Sequence, residues 1–236
     1  MRMHELELMR INADTGFTYD GRGRMLRSNE PRVADRHPAQ RLCLGRTRLG
    51  RVARFGATLP DDVVEELTAI VSREPSDGDL RAPPATEAAI RAALARHAPA
   101  GPGVSGPDCR FPETIAPLGE AVRITAATRD LVRETFPWLY DEYAEWWPAF
   151  AALHDGAGVA VCCSSRIGPK AMAAGVETLP AYRGRGHASS ATAAWGAAVR
   201  ATGRIPLYGT SWDNLASQGV ARRVGLIVYG ATTSWT

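Results

Sequence analysis

The sequence predicts an α/β (α+β) protein, a sheet flanked by helices and preceded by a smaller α+β N-terminal domain. Three observations carry this. An apolar run at 171–179 breaks at a Gly-Arg-Gly turn and passes into a helical pattern. A second apolar run turns at Asp155-Gly156 into a third, the signature of a hairpin. The Gly/Pro-rich stretch Gly101-Pro102-Gly103-Val104-Ser105-Gly106-Pro107 separates two halves and reads as a linker. The 236 residues can bury a sizeable core, and we divide them into a domain at 1–100, a linker at 101–112 and a domain at 113–236.

In the first half, strands are expected near 16–19, 41–44 and 51–55. Gly21-Arg22-Gly23-Arg24 follows Phe17-Thr18-Tyr19-Asp20 and precedes no helical pattern, so it reads as a hairpin turn carrying solvated arginines. Pro60, Asp61 and Asp62 suit a helix start, and Val63, Val64, Leu67, Ile70 and Val71 form its apolar stripe. A second helix at 86–97 ends ahead of Pro99. Arginines are dense here, from Arg22 to Arg54, with Phe17, Tyr19 and Phe55 among them, which raises a nucleic-acid module as an alternative. Lys170 is the only lysine and the formal charge is only +3, so arginine use is a compositional bias and nucleic acid is not the expected partner.

The second half carries the chemistry. In Leu179-Pro180-Ala181-Tyr182-Arg183-Gly184-Arg185-Gly186-His187-Ala188 a strand ends and a helix begins. Gly184 and Gly186 allow a sharp turn and close approach of a ligand, leaving the unpaired N–H groups of the first helical turn to face an anion, with Arg183 and Arg185 adding charge. Ala188, Ala191, Trp195, Ala198 and Val199 then recur on one helical face.

Arg183-Gly184-Arg185-Gly186-His187-Ala188 matches the Q/R-x-x-G-x-G/A loop of the GNAT superfamily of acyl-CoA-dependent N-acetyltransferases, and the sequence resembles that family from about residue 122 onward. A second hallmark, an Asn opening a helix that a Gly closes, is matched by Asn214 and Gly225. The resemblance implies a mixed, mostly antiparallel twisted sheet. Its strands would lie at 122–125, 149–154, 158–164, 171–179, 204–211 and from 226, with helices within 127–147 and at 185–201 and 213–224. The family's seventh strand has little room before Thr236, so the last strand's free edge would need the N-terminal region, a shortened hairpin or a second copy of the chain, and a homodimer stays open.

By the same resemblance the ligand is acetyl-CoA, the acyl donor, and the activity is N-acetyl transfer to an amine of a small molecule or protein. Its diphosphate would meet Arg183, Gly184, Arg185, Gly186, His187, Ala188 and Ser189. The pantetheine arm would run between the fourth and fifth strands near Val176 and Thr178, bonded by Asn214 and near Ser217. Glu177, a carboxylate in an apolar strand, is the candidate base. The Tyr that protonates the leaving thiolate in the family is replaced by Ala221, and Ser217, Tyr208 or Tyr229 could substitute. A protein that binds acyl-CoA as a sensor without turnover is the alternative.

The aromatic segment from Phe136 to Trp147 could line an acceptor pocket or pack a core, and Asp141, Glu142 and Glu145 would give it an acidic rim. Cys43, Cys109, Cys162 and Cys163 lack zinc-site spacing, so no metal is expected, and the adjacent pair would point to opposite faces of a strand. No apolar run reaches about eighteen residues and acidic residues occupy the N-terminus, so a cytoplasmic protein without membrane association is expected.

Overall fold

The computed structural model describes residues 4–236. Helix α1 (Glu5–Gly16) is followed by a hairpin of β1 (Phe17–Tyr19) and β2 (Met25–Ser28). Its turn holds Gly21-Arg22-Gly23-Arg24, with Gly23 at φ +74°. The arginines there are not free, since Arg22 and Arg24 both pair with Asp61. Strands β3 (Leu42–Thr47) and β4 (Gly50–Phe55) form a second hairpin, then come helices α2 (Asp61–Val71) and α3 (Glu87–Ala95). The expected stripe of α2 is buried, against α3, Leu42, Leu44 and Trp235.

The remaining elements are β5 (Val104–Arg110), β6 (Val122–Arg123), α4 (Pro137–Glu142), β7 (Ala149–His154), β8 (Ala157–Ile167), β9 (Ala171–Thr178), α5 (His187–Ala201), β10 (Ile205–Gly209), α6 (Leu215–Val224) and β11 (Ile227–Trp235). A nine-stranded sheet joins them in the order β4-β3-β11-β5-β10-β9-β8-β7-β6, and β9/β10 is its parallel pair among antiparallel neighbours.

The expected linker at 101–112 is corrected by this topology, because its residues 104–110 form β5, paired with β11 on one side and β10 on the other. Two of its three glycines answer to close neighbours rather than to flexibility: a Cβ on Gly106 would overlap the Thr210 carbonyl oxygen at 1.6 Å, and one on Gly103 would meet Thr233 and Trp235. The edge question is answered in the same place. β5 fills the slot between β10 and β11, and β3 pairs the far side of β11 from Ala231 to Trp235. The sheet therefore runs without a break from residues of the first half to those of the second.

One face is covered by α5 and α6, packing Cys162, Met172, Trp195, Val199 and Tyr208. The other is covered by α1, which buries Leu8, Met9 and Ile11 against Val52, Ala171, Leu207 and Tyr229, and by the α4 region. Cys162 and Cys163 lie on opposite faces, and all four cysteines are buried and unbridged.

Candidate functional site

Strands β9 and β10 part company inside the sheet. They are paired only through Ile205↔Ala171, Pro206↔Met172 and Leu207↔Ala173. Beyond that point β9 stays with β8 as far as Thr178, while β10 stays with β5 as far as Gly209, so a V-shaped gap opens between them. A cavity of about 910 Å³ occupies the gap and continues to the first turns of α5 and α6.

The sequence builds the far end of this groove as expected. Gly184 sits at φ +76° and Gly186, at φ +91°, occupies the position just before α5, conformations that cost an ordinary residue about 1–3 kcal/mol. No side chain caps α5, and its first helical bond is Ser190 N–H donating to the Gly186 carbonyl at 3.2 Å. The N–H groups of His187, Ala188 and Ser189 therefore have no helical partner, and all three residues line the groove. With the N-terminus of α6 beside them, two helix dipoles point positive ends at one space.

The structure brings together on this groove Val176, Glu177, Thr178, Arg183, Gly184, Gly186, His187, Ala188, Ser189, Tyr208, Asn214 and Ser217. Arg185 is the exception: its guanidinium lies over the Tyr182 ring, 5.3 Å from the centroid, and the residue does not line the cavity. Arg223 supplies the cation instead. A Cβ on Gly186 would stand 3.1 Å from its Cζ, and Arg223 makes no ion pair among the described residues. The sequence reading missed it, although Ala216, Val220 and Arg223 fall on one helical face after Asn214.

Asn214 caps α6, its Oδ1 accepting from Ser217 N–H at 2.9 Å, which leaves the amide Nδ2 free to donate. Asn214 is thus the cap of α6. The Ser217 hydroxyl is instead 2.7 Å from that of Tyr208, so two of the candidate acids form one hydrogen-bonded pair. Burial pushes the Tyr208 phenol up to about 12, against the opposing bond from Ser217.

The side chain of Glu177, the candidate base, is exposed at the lip of the groove. It alternates onto the sheet face away from α5, because Met172, Ala174 and Val176 take the face toward it. His187 forms a loose aromatic group with His154 and Tyr182, the centroids 5.1–6.2 Å apart. Partial burial, followed by His154 and Arg185, lowers its pKa.

The aromatic segment packs a core. Phe136 and Leu139 are fully buried with Val132 and Val161, and Trp138, Tyr140, Tyr143 and Trp146 pack around them. The acidic rim is partly neutralised, since Arg32 pairs with Glu142 and lies 3.9 Å from Glu145. The N-terminal arginines are likewise used internally, with Arg41 donating to carbonyls of Leu94, Ala98, Pro99 and Thr236 and Arg54 bonding Asp14. Among the described residues no group of three or more His, Cys, Asp or Glu could hold a metal, and no helix is long and apolar enough to cross a membrane.

No family model and no curated protein matches the chain. The fold is similar to that of solved GNAT-family acetyltransferases. One assigned to that family, from Novosphingobium aromaticivorans, is 16% identical with a TM-score of 0.46; the alignment covers 58% of this chain and 65% of the other, just under two thirds of that protein's length. A GCN5-related N-acetyltransferase-like protein from Streptococcus suis is 14% identical, with 98% and 100% covered and a TM-score of 0.47. The aminoglycoside N-acetyltransferase AAC(6')-Iy, solved in complex with CoA, is 20% identical, with 47% and 92% covered and a TM-score of 0.38.

Proposed function

We propose that the protein is an N-acetyltransferase that binds acetyl-CoA in the groove between β9 and β10 and passes the acetyl group to an amine. The observation that carries this is the junction of three features in one cavity: strands that diverge, an uncapped helix N-terminus beyond them, and an unpaired guanidinium from Arg223. The amides of residues 187–189 suit a diphosphate, and the strand edges opened by the V suit the amides of a pantetheine arm near Val176 and Thr178. Asn214 Nδ2 is a donor at the middle of that path.

Acyl transfer needs a neutral amine and a leaving thiolate. The Tyr208–Ser217 hydroxyl pair faces the groove and can return a proton to sulfur, and a thiolate, whose conjugate acid has a pKa of about 8.5, also leaves without help. Ala221, buried against the α5 side of the sheet, takes no part. That absence is what favours the second reading, an acyl-CoA-binding protein without turnover.

One experiment separates the two. Thiol release from acetyl-CoA is followed with a panel of small amines and lysine peptides. Amine-dependent release supports the transferase, and saturable acetyl-CoA binding with no release from any amine supports the sensor. In either case binding weakens with salt, because the contacts to the diphosphate are charge-assisted.

A further inference from the structure

We propose that the acceptor amine enters a second cavity beneath α1, with its nitrogen at the carboxylate of Asp108, and that this carboxylate takes its proton. The proposal rests on the acyl-transfer reading above and names the acceptor site and base for it.

The cavity, of about 210 Å³, lies on the sheet face away from α5 and is lined by Asn12, Ala13, Gln40, Cys43, Asp108 and Thr232 among others. That volume suits a small amine or the end of a longer one. Asp108 projects from β5 and is 7% exposed. Asn12 Nδ2 donates to its Oδ1 at 2.9 Å and Thr232 Oγ1 to its Oδ2 at 2.6 Å, while no cation pairs with it among the described residues. Buried carboxylates held for structure are normally ion-paired, as Glu74 is with Arg46 in this same protein. Asp108 therefore has a place for a positive group that nothing in the chain fills. Gln40 Oε1, buried and without a hydrogen-bond partner among the described residues, offers a second acceptor to an ammonium in the same cavity.

Position links this cavity to the groove. Asp108 is the register partner of Gly209, two residues beyond the last β9–β10 pair, and Gly209 lines the larger cavity. The carboxylate Oδ1 lies 3.5 Å from where a Gly209 Cβ would be, so no side chain stands between Asp108 and the V at that residue. Glu177 has no such confinement.

The titratable groups around Asp108 are Cys43 of β3, Cys109 beside it and Tyr229 of β11, each held neutral by burial and by the carboxylate itself. Burial lifts Asp108 to about 6, against the pull of its two hydrogen bonds, so the acid loses its proton just below neutral pH. The step balances. An ammonium R–NH₃⁺ passes a proton to the carboxylate, and the free amine forms a C–N bond to the thioester carbonyl carbon. The C–S bond breaks and its electron pair leaves on sulfur. The second proton shed by nitrogen protonates that thiolate, and Asp108 returns its own proton to water.

The test uses the full-length protein with an amine that supports thiol release. Asp108→Asn is expected to lower kcat/KM by about 100-fold or more and to abolish the acidic limb near pH 6, while acetyl-CoA affinity and cooperative unfolding persist. Ala13→Leu, which narrows the cavity from α1, is expected to raise KM for the amine several-fold and leave KM for acetyl-CoA unchanged. Retained activity and an intact acidic limb in Asp108→Asn overturn the assignment, as does an Ala13→Leu variant with an unchanged amine KM. A wild-type protein that binds acetyl-CoA but releases no thiol with any amine overturns the acyl-transfer reading, and this site falls with it.

Discussion

The β3/β4 end of the sheet and the β9/β10 groove treat their polar groups in opposite ways. Around Glu74, buried to 1% exposure, the carboxylate is fully bonded: Arg46 pairs with it at 3.4 Å, the amides of Ala85 and Thr86 and the Thr86 hydroxyl donate to it, and a second arm of Arg46 reaches the carbonyls of Leu80 and Ala82, leaving only Arg46 Nε without a partner. In the groove the reverse holds. Three helix amides, the Arg223 guanidinium and two strand edges stay unmatched within the chain. Glu74 is completed by its own chain, whereas the groove gathers open donors on one cavity, where a ligand would complete them.

Breaking the closed end gives the largest effect. Glu74→Ala strands the Arg46 charge in the core and is expected to cost about 3–5 kcal/mol of unfolding free energy, read by denaturant titration, with acetyl-CoA affinity unchanged at low temperature.

The next contrast is between two buried carboxylates, and its sign is opposite. The folded Asp108 pKa, about 6, lies above its ordinary 3.8, so the folded state holds the extra proton. Stability is then full below about pH 3.8, falls as pH rises through 6, and stays reduced by about 3 kcal/mol above it. Asp108→Asn removes that penalty and is expected to unfold at a higher temperature than wild type at pH 8, the advantage shrinking at pH 4. A lower Tm at pH 8 would make Asp108 an ordinary structural residue.

Within the groove, Gly186→Val forces a β-branched residue to φ +91° against Arg223 and is expected to weaken acetyl-CoA by about 10–100-fold in calorimetry. Unchanged affinity would remove the loop from the site. Arg223→Ala is the mildest change, about 1–2 kcal/mol of binding, or roughly tenfold, with a shallower dependence of Kd on salt.

The groove was legible because glycine spacing and a helix start are local signals: Gly184, Gly186 and Asn214 act within their own turns. So were α2, α3 and the β7/β8 hairpin, whose stripes and turns declare themselves over a few residues. The strand β5 was hidden because Gly103, Gly106 and Pro107 usually mark loops, and only contacts with Trp235 and Thr210, more than a hundred residues away, explain them. Asp108 was hidden with it. Arg223 was masked by the abundance of arginine, and the exposure of Glu177 was not legible because alternation does not say which face of a sheet is covered. Helix α1 gave only a weak stripe, its apolar residues divided among β3, β4, β9 and β11.

The most direct measurement of the central claim is a crystal structure of the protein with CoA. The diphosphate is expected on the amides of residues 187–189 beside Arg223, and the pantetheine arm threaded between β9 and β10 with its sulfur near Gly209. CoA bound elsewhere, or a V that stays empty at saturating CoA, would contradict it.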